Sequence, residues 1–376
     1  MRLETLFSSE KIGNVEIKNR FIRSATYTRS ATDDGYVTDK MIDYHTELAK
    51  GGIGLIITGI VSIDQVGKAG RGQACLFDDS YIEGQKKLVD AVHDYSEVKI
   101  APQLSHAGRQ GRNAVAPSPV LYQVNKKMPK ELTSEEIKEI IKSFISASRR
   151  AYESGYDLLQ LNAAHGWLLH NFLSPHLNKR IDEYGGSIEK RAKILVDIYN
   201  GISDEVGKEF PIFLKLHTQD FIEGGLILEE GKQIAKILVD SGYAAIEATG
   251  GSGDTLLNPG KNYPSLIIKS EEEENYFLPN VKELKPIMGN SKIILMGGVR
   301  NPLKVEELLR ERIIDFIAMG RPLICEPDLP NKWYSGDLSV PLCNSCNTCY
   351  MSILSGSVKC VPKRKLIRQR QKEQRN

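Results

Sequence analysis

The strongest constraint on the fold is an alternation of two kinds of segment along most of the chain. Short apolar runs rich in β-branched residues are separated by longer stretches with apolar residues at helical spacing. The short runs predict eight strands, at Arg20–Ser24, Gly54–Ile60, Ile100–Leu104, Leu158–Asn162, Ile212–His217, Ala244–Ala248, Ile293–Met296 and Phe316–Met319. Apolar strands that alternate with helices indicate a parallel sheet covered on both faces, and eight such units close a (β/α)8 TIM barrel.

The stretches between the strands are typical of amphipathic helices. The clearest begins at Thr133, which has capping-box spacing to Glu136, and it ends near Ser154. Further helices are predicted at Lys190–Val206, Leu228–Val239 and Leu303–Arg312. An open doubly wound sheet is the rival fold, but no G-x-G-x-x-G follows the first strand, and polar residues follow nearly every strand. The barrel is therefore favoured, with any active site at the C-terminal ends of its strands.

The alternation stops near Pro330, where a cysteine-rich segment begins. We therefore predict two regions, a barrel over residues 1–330 and a short cysteine-rich extension with a basic tail over residues 331–376. Long loops are expected at residues 105–130 and 251–280, where Gly, Pro, Asn and Ser gather. Loops of this length at a barrel mouth commonly form lids and binding surfaces.

Composition and charge exclude several classes of protein. With 41% hydrophobic and 26% charged residues, the chain is not disordered as a whole. Its apolar runs are far shorter than the roughly 20 residues that cross a bilayer, and its N-terminus carries no apolar leader. We therefore expect a cytoplasmic protein with no membrane span. Residues 363–376 carry seven Lys or Arg and one Glu, but a short charged terminus is more often solvated than bound to nucleic acid.

Glycines follow the last two predicted strands. Gly298 and Val299 come after the seventh strand, and Gly320 and Arg321 come after the eighth. Backbone N–H groups at these two places form the usual phosphate site of a barrel. Simple tight turns are the alternative, but the joint occurrence favours a ligand that carries a phosphate.

Polar residues also stand at the ends of otherwise apolar strands. Lys215 on the fifth strand needs a partner, because burying an unpaired cation costs several kcal/mol. The partner is either a cofactor that becomes anionic on reduction or an acid such as Glu247 on the sixth strand. Asn162 and His165 are three residues apart at the end of the fourth strand, so both could bind one carbonyl oxygen. Gln103, at the end of the third strand, adds an amide that points toward the mouth.

Together these motifs resemble the old yellow enzyme family of FMN-dependent NADH:flavin oxidoreductases, over roughly residues 3–330. The resemblance rests on Lys18 to Arg20, Gln103 to Arg109, Ala164 to Gly166 and, above all, the run from Phe172 to Ser187. It implies one FMN across the barrel mouth. The implied cofactor contacts are backbone contacts from Ala25 and Thr26, Gln103 on the pyrimidine edge, Lys215 near flavin N1 and the C2 carbonyl, and Gly298, Val299, Gly320 and Arg321 at the phosphate.

The resemblance also implies a two-step cycle with NAD(P)H as co-substrate. NAD(P)H reduces the flavin, and the flavin passes hydride from N5 to the β-carbon of an unsaturated carbonyl whose oxygen is bound by Asn162 and His165. Many relatives protonate the α-carbon with a tyrosine two residues after the histidine, where this chain has Trp167. An indole has no accessible acid. Tyr27 is the substitute acid we predict, water is another, and Tyr27 could also serve for packing alone.

Four of the six cysteines lie close together near the C-terminal end, whereas Cys75 and Cys325 stand apart from them. In a cytosolic chain such clustering predicts metal binding rather than disulfides. The cluster resembles the barrel domains of trimethylamine dehydrogenase and 2,4-dienoyl-CoA reductase, which hold a [4Fe–4S] cluster. The predicted metal ligands, for [4Fe–4S] or zinc, are Cys343, Cys346, Cys349 and Cys360. A metal-free thiol cluster is the alternative, and bound iron would suggest a separate electron-transfer protein as partner.

The function predicted from these observations is NAD(P)H-linked reduction of α,β-unsaturated carbonyl compounds or similar activated alkenes. A flavin-dependent dehydrogenase or demethylase of the trimethylamine dehydrogenase type is the alternative among enzymes. A non-catalytic binder of a phosphate ligand or nucleic acid is the alternative of another class, and it predicts a colourless protein. The sequence does not choose between NADH and NADPH, between a monomer and a homo-oligomer, or among small-molecule substrates.

Overall fold

The computed structural model shows one closed parallel barrel, and it describes residues 3–95, 97–257 and 265–363. Its strands, labelled β1–β8, are Phe21–Arg23, Leu55–Ser62, Lys99–Ser105, Leu159–Ala163, Ile212–His217, Ala245–Thr249, Lys292–Met296 and Phe316–Met319. Each strand pairs in parallel with the next, and β8 pairs with β1 to close the barrel. The predicted (β/α)8 TIM barrel is therefore confirmed.

Helices surround the barrel. In chain order, α1–α11 are Asp39–Lys50, Ile82–His93, Ser134–Glu153, Leu168–Leu173, Ile188–Val206, Leu228–Ser241, Leu278–Leu284, Pro302–Arg310, Arg321–Cys325, Leu329–Tyr334 and Thr348–Ser352. The predicted capping box is present at α3, where Thr133 Oγ1 accepts from the Glu136 backbone N–H and Glu136 accepts from the Thr133 N–H. Among the helices of the described residues, none combines the length and the apolar character that a bilayer-spanning helix needs.

A short hairpin that the sequence analysis did not predict closes the bottom of the barrel. Its strands are Glu10–Ile12 and Val15–Ile17. Ile12 and Ile17 pack into the barrel interior together with Phe213 and other strand side chains. Because the interior is filled and its N-terminal end is covered, the C-terminal mouth is where a ligand can enter.

Two long loops and the extension surround that mouth. Arg109 in the loop after β3 forms an ion pair with Asp254 in the loop after β6, and its guanidinium lies over the Tyr122 ring. Arg300 and Arg321, which follow β7 and β8, donate to backbone carbonyls of the extension at Cys343 and Ser345. Residues 258–264 of the predicted second loop and residues 364–376 of the basic tail lie outside the described residues.

Candidate active site

A cavity of about 490 Å³ lies at the C-terminal mouth of the barrel. All eleven residues that were predicted as catalytic or cofactor-binding line it. They are Ala25, Thr26, Tyr27, Gln103, Asn162, His165, Lys215, Gly298, Val299, Gly320 and Arg321. Its volume is in the range of small-molecule sites, about 300–1,000 Å³. The parallel strands therefore bring residues that are nearly 300 positions apart in sequence to one concave surface.

One side of the cavity is built from glycine backbone. Gly297 and Gly298 have φ of 91° and 81°, which side-chain-bearing residues rarely adopt. A side chain on Gly298 would also crowd the Asn275 backbone nitrogen, whereas a Cβ on Gly320 would meet only Arg23 Nη1 at 3.9 Å and Thr26 Oγ1 at 4.0 Å. An open surface of backbone N–H groups is what a phosphate needs. The Arg321 guanidinium is partly engaged elsewhere, because its Nη1 donates to Leu266 O and Asn347 Oδ1 at 2.7 Å.

The floor of the cavity holds a buried ion pair. Lys215 Nζ lies 2.6 Å from Glu247 Oε1 and 2.8 Å from Ser24 Oγ. The salt bridge proposed as one of two alternatives for Lys215 is thus present, although Lys215 also lines the cavity. Gln160 connects this pair to Gln103, since it donates to Glu247 Oε2 and accepts from Gln103 Nε2. Gln160 and Ser24 were not predicted as site residues, because their only signal in the sequence is their polarity within or beside an apolar strand.

Asn162 and His165 stand together on the wall of the cavity. His165 Nε2 lies 2.8 Å from Thr249 Oγ1, and burial together with the nearby Lys215 lowers the pKa of His165 well below 6.5. The imidazole is therefore neutral at physiological pH. Asn162 Nδ2 donates to Ser105 Oγ, while Asn162 Oδ1 is buried without a partner among the described residues. Such an atom costs about 1–3 kcal/mol, which a hydrogen bond from a ligand would recover.

Two further histidines hold the turn that carries His165. The backbone N–H groups of His165 and Gly166 donate to Nδ1 of His217 and His170 respectively. Asp220 Oδ1 lies 2.8 Å from Nε2 of each of these two histidines. Their ligand atoms lie close enough to suggest a metal site, but both Nδ1 atoms accept hydrogen bonds. Because Nδ1 accepts, each ring carries a proton on Nε2, which leaves no lone pair there for a metal.

Tyr27 and Trp167 also line the cavity. The Tyr27 hydroxyl donates to the backbone carbonyl of Arg71. Burial raises the pKa of Tyr27 to about 12, so the side chain keeps its proton over the whole physiological range. Trp167 precedes α4 directly, and this position sets its indole at the same mouth.

The four predicted metal ligands line a second pocket of about 120 Å³ beside the first. Cys325, which was not among the predicted ligands, lines the same pocket, because it stands at the end of α9. Cys349 lines both cavities, so the thiol pocket and the barrel mouth share a wall. Four or five thiols in one pocket suit a thiolate-bound metal.

Comparisons with known proteins support one family. A model of the NADH:flavin oxidoreductase / NADH oxidase family matches residues 5–337. An NADH oxidase of Thermoanaerobacter brockii is 38% identical over 353 residues, which cover 91% of this chain and 52% of that protein. An NADPH dehydrogenase of Listeria monocytogenes is 33% identical over 86% of this chain and 93% of its own length.

A solved structure is similar over nearly the whole chain. The 2-naphthoyl-CoA reductase in complex with 2-naphthoyl-CoA superposes with a TM-score of 0.87 at 30% identity, covering 95% of this chain and 56% of that one. This chain thus spans about half the length of this reductase and of the NADH oxidase. The family match confirms the prediction made from the motifs. The chain belongs to the NADH:flavin oxidoreductase / NADH oxidase family.

Proposed function

We propose that this protein is an FMN-dependent oxidoreductase that uses NAD(P)H to reduce α,β-unsaturated carbonyl compounds or similar activated alkenes. The observation that carries the proposal is the single cavity at the barrel mouth. It joins a glycine-lined surface, a lysine and a neutral Asn162–His165 pair within one space. The family of the chain implies flavin and NAD(P)H, and the colourless-binder alternative has no comparable support.

The residues of the cavity suit FMN. Backbone N–H groups at Gly298, Val299, Gly320 and Arg321 would hold the phosphate, because all four residues line the cavity and two of them are glycines. The Gln103 amide would bind the pyrimidine edge, Ala25 and Thr26 would lie against the ring, and Lys215 would lie near N1 and the C2 carbonyl. When bound, FMN supplies hydride transfer at its N5 atom.

Asn162 and His165 would bind the carbonyl oxygen of the substrate. A neutral imidazole and an amide can both donate a hydrogen bond to that oxygen, where negative charge grows as hydride arrives at the β-carbon. Tyr27 would protonate the α-carbon, because it lines the same cavity and retains its proton up to a pH of about 12. Its hydroxyl must then leave the Arg71 carbonyl, and water is the competing donor.

We further propose that Cys343, Cys346, Cys349 and Cys360 bind a [4Fe–4S] cluster or zinc, and that residues 331–376 form a unit built around it. An iron–sulfur cluster there would exchange electrons with the flavin site across the shared wall at Cys349, whereas zinc has no redox chemistry. With a cluster bound, a separate electron-transfer protein would be a partner. All six cysteines are unpaired, which agrees with a cytoplasmic location, where thiols stay reduced.

A flavin-dependent dehydrogenase or demethylase is the second candidate. The observation that favours it is Trp167, which stands where the resemblance expects the tyrosine acid of an alkene reductase. Such an enzyme would oxidise an amine or another saturated donor and would need no acid at that place.

Spectroscopy and rapid kinetics on protein purified without oxygen would test the proposal. We expect flavin absorbance, one FMN per chain, bleaching by NADH or NADPH, and rapid reoxidation of the reduced enzyme by cyclohexenone. A colourless protein that does not bind added FMN would overturn the proposal. If the flavin is reduced by amines and the reduced enzyme does not react with enones, the dehydrogenase candidate replaces it.

A further inference from the structure

The floor of the cavity contains an acid whose surroundings are unusual. Glu247 is fully buried on β6, and all its hydrogen bonds come from other barrel strands or their ends. Its Oε1 accepts from Lys215 Nζ at 2.6 Å and from Ser24 Oγ at 2.5 Å, and its Oε2 accepts from Gln160 Nε2 at 2.8 Å. A buried carboxylate is tolerated only when it is paired and fully hydrogen-bonded, and Glu247 meets both conditions.

We propose that Glu247 is a positioning residue of the flavin site, which sets both the field that Lys215 exerts on the cofactor and the amide orientation of Gln103. This inference rests on the proposed function, because it assigns the site to FMN. Glu247 itself does not line the cavity, whereas Lys215 and Gln103 do. It therefore acts through these two residues rather than by touching the ligand.

The first effect is electrostatic. A lone ammonium group at the cavity would stabilise a reduced, anionic flavin strongly, because the low dielectric of a buried site screens charge poorly. With the Glu247 carboxylate 2.6 Å from Nζ, the pair acts as a dipole, and its field falls off faster with distance than that of a single charge. Glu247 thus keeps the reduction potential of the flavin lower than Lys215 alone would set it.

The second effect is orientational. A carboxylate only accepts hydrogen bonds, so Gln160 must turn its NH₂ group toward Glu247. The Gln160 carbonyl oxygen then faces Gln103 and takes a hydrogen bond from Gln103 Nε2 at 2.6 Å. Gln103 is left with its carbonyl oxygen as the acceptor for a ligand, which matches an N–H of a pyrimidine ring. The charge of Glu247 therefore fixes two amides that could otherwise flip.

The electrostatic effect can be tested by measuring the reduction potential of FMN-loaded variants. We expect Glu247→Gln to raise the potential and Lys215→Met to lower it, each by about tenfold in the oxidised-to-reduced equilibrium, or about 30 mV for two electrons. The double variant should return toward the wild-type value. Glu306→Gln is the matched control, because Glu306 is an equally buried acid that binds the Thr5 and Leu6 N–H groups.

The orientational effect can be tested through FMN affinity. Gln160→Leu removes the link to Gln103 without a change of charge. We expect it to raise the FMN dissociation constant about tenfold, measured by fluorescence titration of apoprotein, with a smaller change of potential than Glu247→Gln gives. An unchanged dissociation constant would show that Gln103 is not held through Gln160.

The outcomes distinguish this inference from the proposed function. If the wild type binds no FMN, the proposed function fails. If FMN binds and Glu247→Gln leaves its potential at the wild-type value, the inference alone fails. Should Glu247→Gln not fold, the comparison of Lys215→Met with the double variant decides, because adding Glu247→Gln must then raise the potential.

Discussion

The floor of the barrel mouth and the cysteine extension differ in what holds their residues in place. On the floor, Lys215 and Glu247 are buried on neighbouring strands and already make their hydrogen bonds within the protein. In the extension, the helices are five or six residues long, and the apolar side chains of Leu342, Tyr350 and Leu354 are 69–74% exposed. The floor is organised by the fold itself, whereas the extension has little core to organise it.

The two regions therefore differ in the source of their stability. Strands that are covered on both faces bury enough apolar surface to hold costly polar groups in place. A segment as short as the extension, with little core of its own, usually depends on a metal or on a neighbour. Arg300 and Arg321 supply some of that support from the barrel. We expect metal at the thiol pocket to supply the rest.

Removing a thiol ligand should therefore have the largest effect of any single change, and it should be confined to the extension. Structural zinc contributes on the order of 10 kcal/mol in small domains. We expect Cys349→Ser to abolish stoichiometric iron, sulfide or zinc and to make residues 331–363 sensitive to protease, while the barrel melts as before. Cys75→Ala is the control, because Cys75 is buried and does not line the thiol pocket.

Metal analysis on protein purified without oxygen also tests the wild type. Substoichiometric amounts of iron, sulfide and zinc would favour the metal-free alternative and would contradict the expectation that bound metal stabilises the extension. Cys325→Ser is a further variant for testing metal binding, because Cys325 lines the same pocket.

The two regions also differ in how far the sequence predicts them. Each barrel strand is an apolar run whose local pattern is decided by burial on both faces, so all eight were located within about two residues. The contacts that organise the floor are not local. Ser24 and Glu247 are 223 residues apart, and no pattern within either segment indicates that they meet.

Shorter features were missed for a different physical reason. The strands of the N-terminal hairpin have three residues each, which is too short for an alternation to be recognised. Cys325 was not grouped with the other pocket thiols, because it is far from them along the sequence although α9 ends beside the thiol pocket. His170 lies on α4, and Asp220 follows β5. Nothing in the sequence around either residue indicates that the two side chains meet.

The next prediction concerns the organised region. In the proposed reaction Asn162 and His165 would act on charge that develops at the substrate oxygen, and losing one such donor typically costs 10²–10³-fold in rate. We expect the double alanine variant to slow the reoxidation of pre-reduced enzyme by an enone at least 10³-fold in stopped-flow experiments, with normal FMN content. A loss below tenfold would mean that neither residue binds the substrate oxygen.

A third prediction tests the barrel scaffold without touching the site. His45 is buried on α1, its Nδ1 donates to the Met41 carbonyl, and burial lowers its pKa to about 4 from an ordinary 6.5. Only the unfolded chain takes up this proton between pH 6.5 and pH 4. The contribution of His45 to stability should therefore be complete above pH 6.5 and should fall by roughly 3 kcal/mol toward pH 4.

Urea unfolding at pH 7, 5.5 and 4.5 would measure this loss. His45→Gln cannot titrate, so we expect a flatter dependence of its unfolding free energy on pH. Equal slopes for the wild type and His45→Gln would exclude His45 as a source of acid lability.

The smallest effect is expected at the proposed proton donor of the active site. Tyr27 has a pKa near 12 and a hydroxyl held by a backbone carbonyl, so it is a weak acid that water can partly replace. We expect Tyr27→Phe to slow alkene reduction about tenfold, below the usual 10²–10⁴-fold range of general acid catalysis.

Trp167→Tyr places a phenol at the same mouth and should raise the rate several-fold where protonation limits it. A solvent deuterium effect on reoxidation should therefore grow in Tyr27→Phe and shrink in Trp167→Tyr. If neither variant changes the rate or the isotope effect, the proton comes from water alone, and both aromatic side chains serve only to shape the cavity.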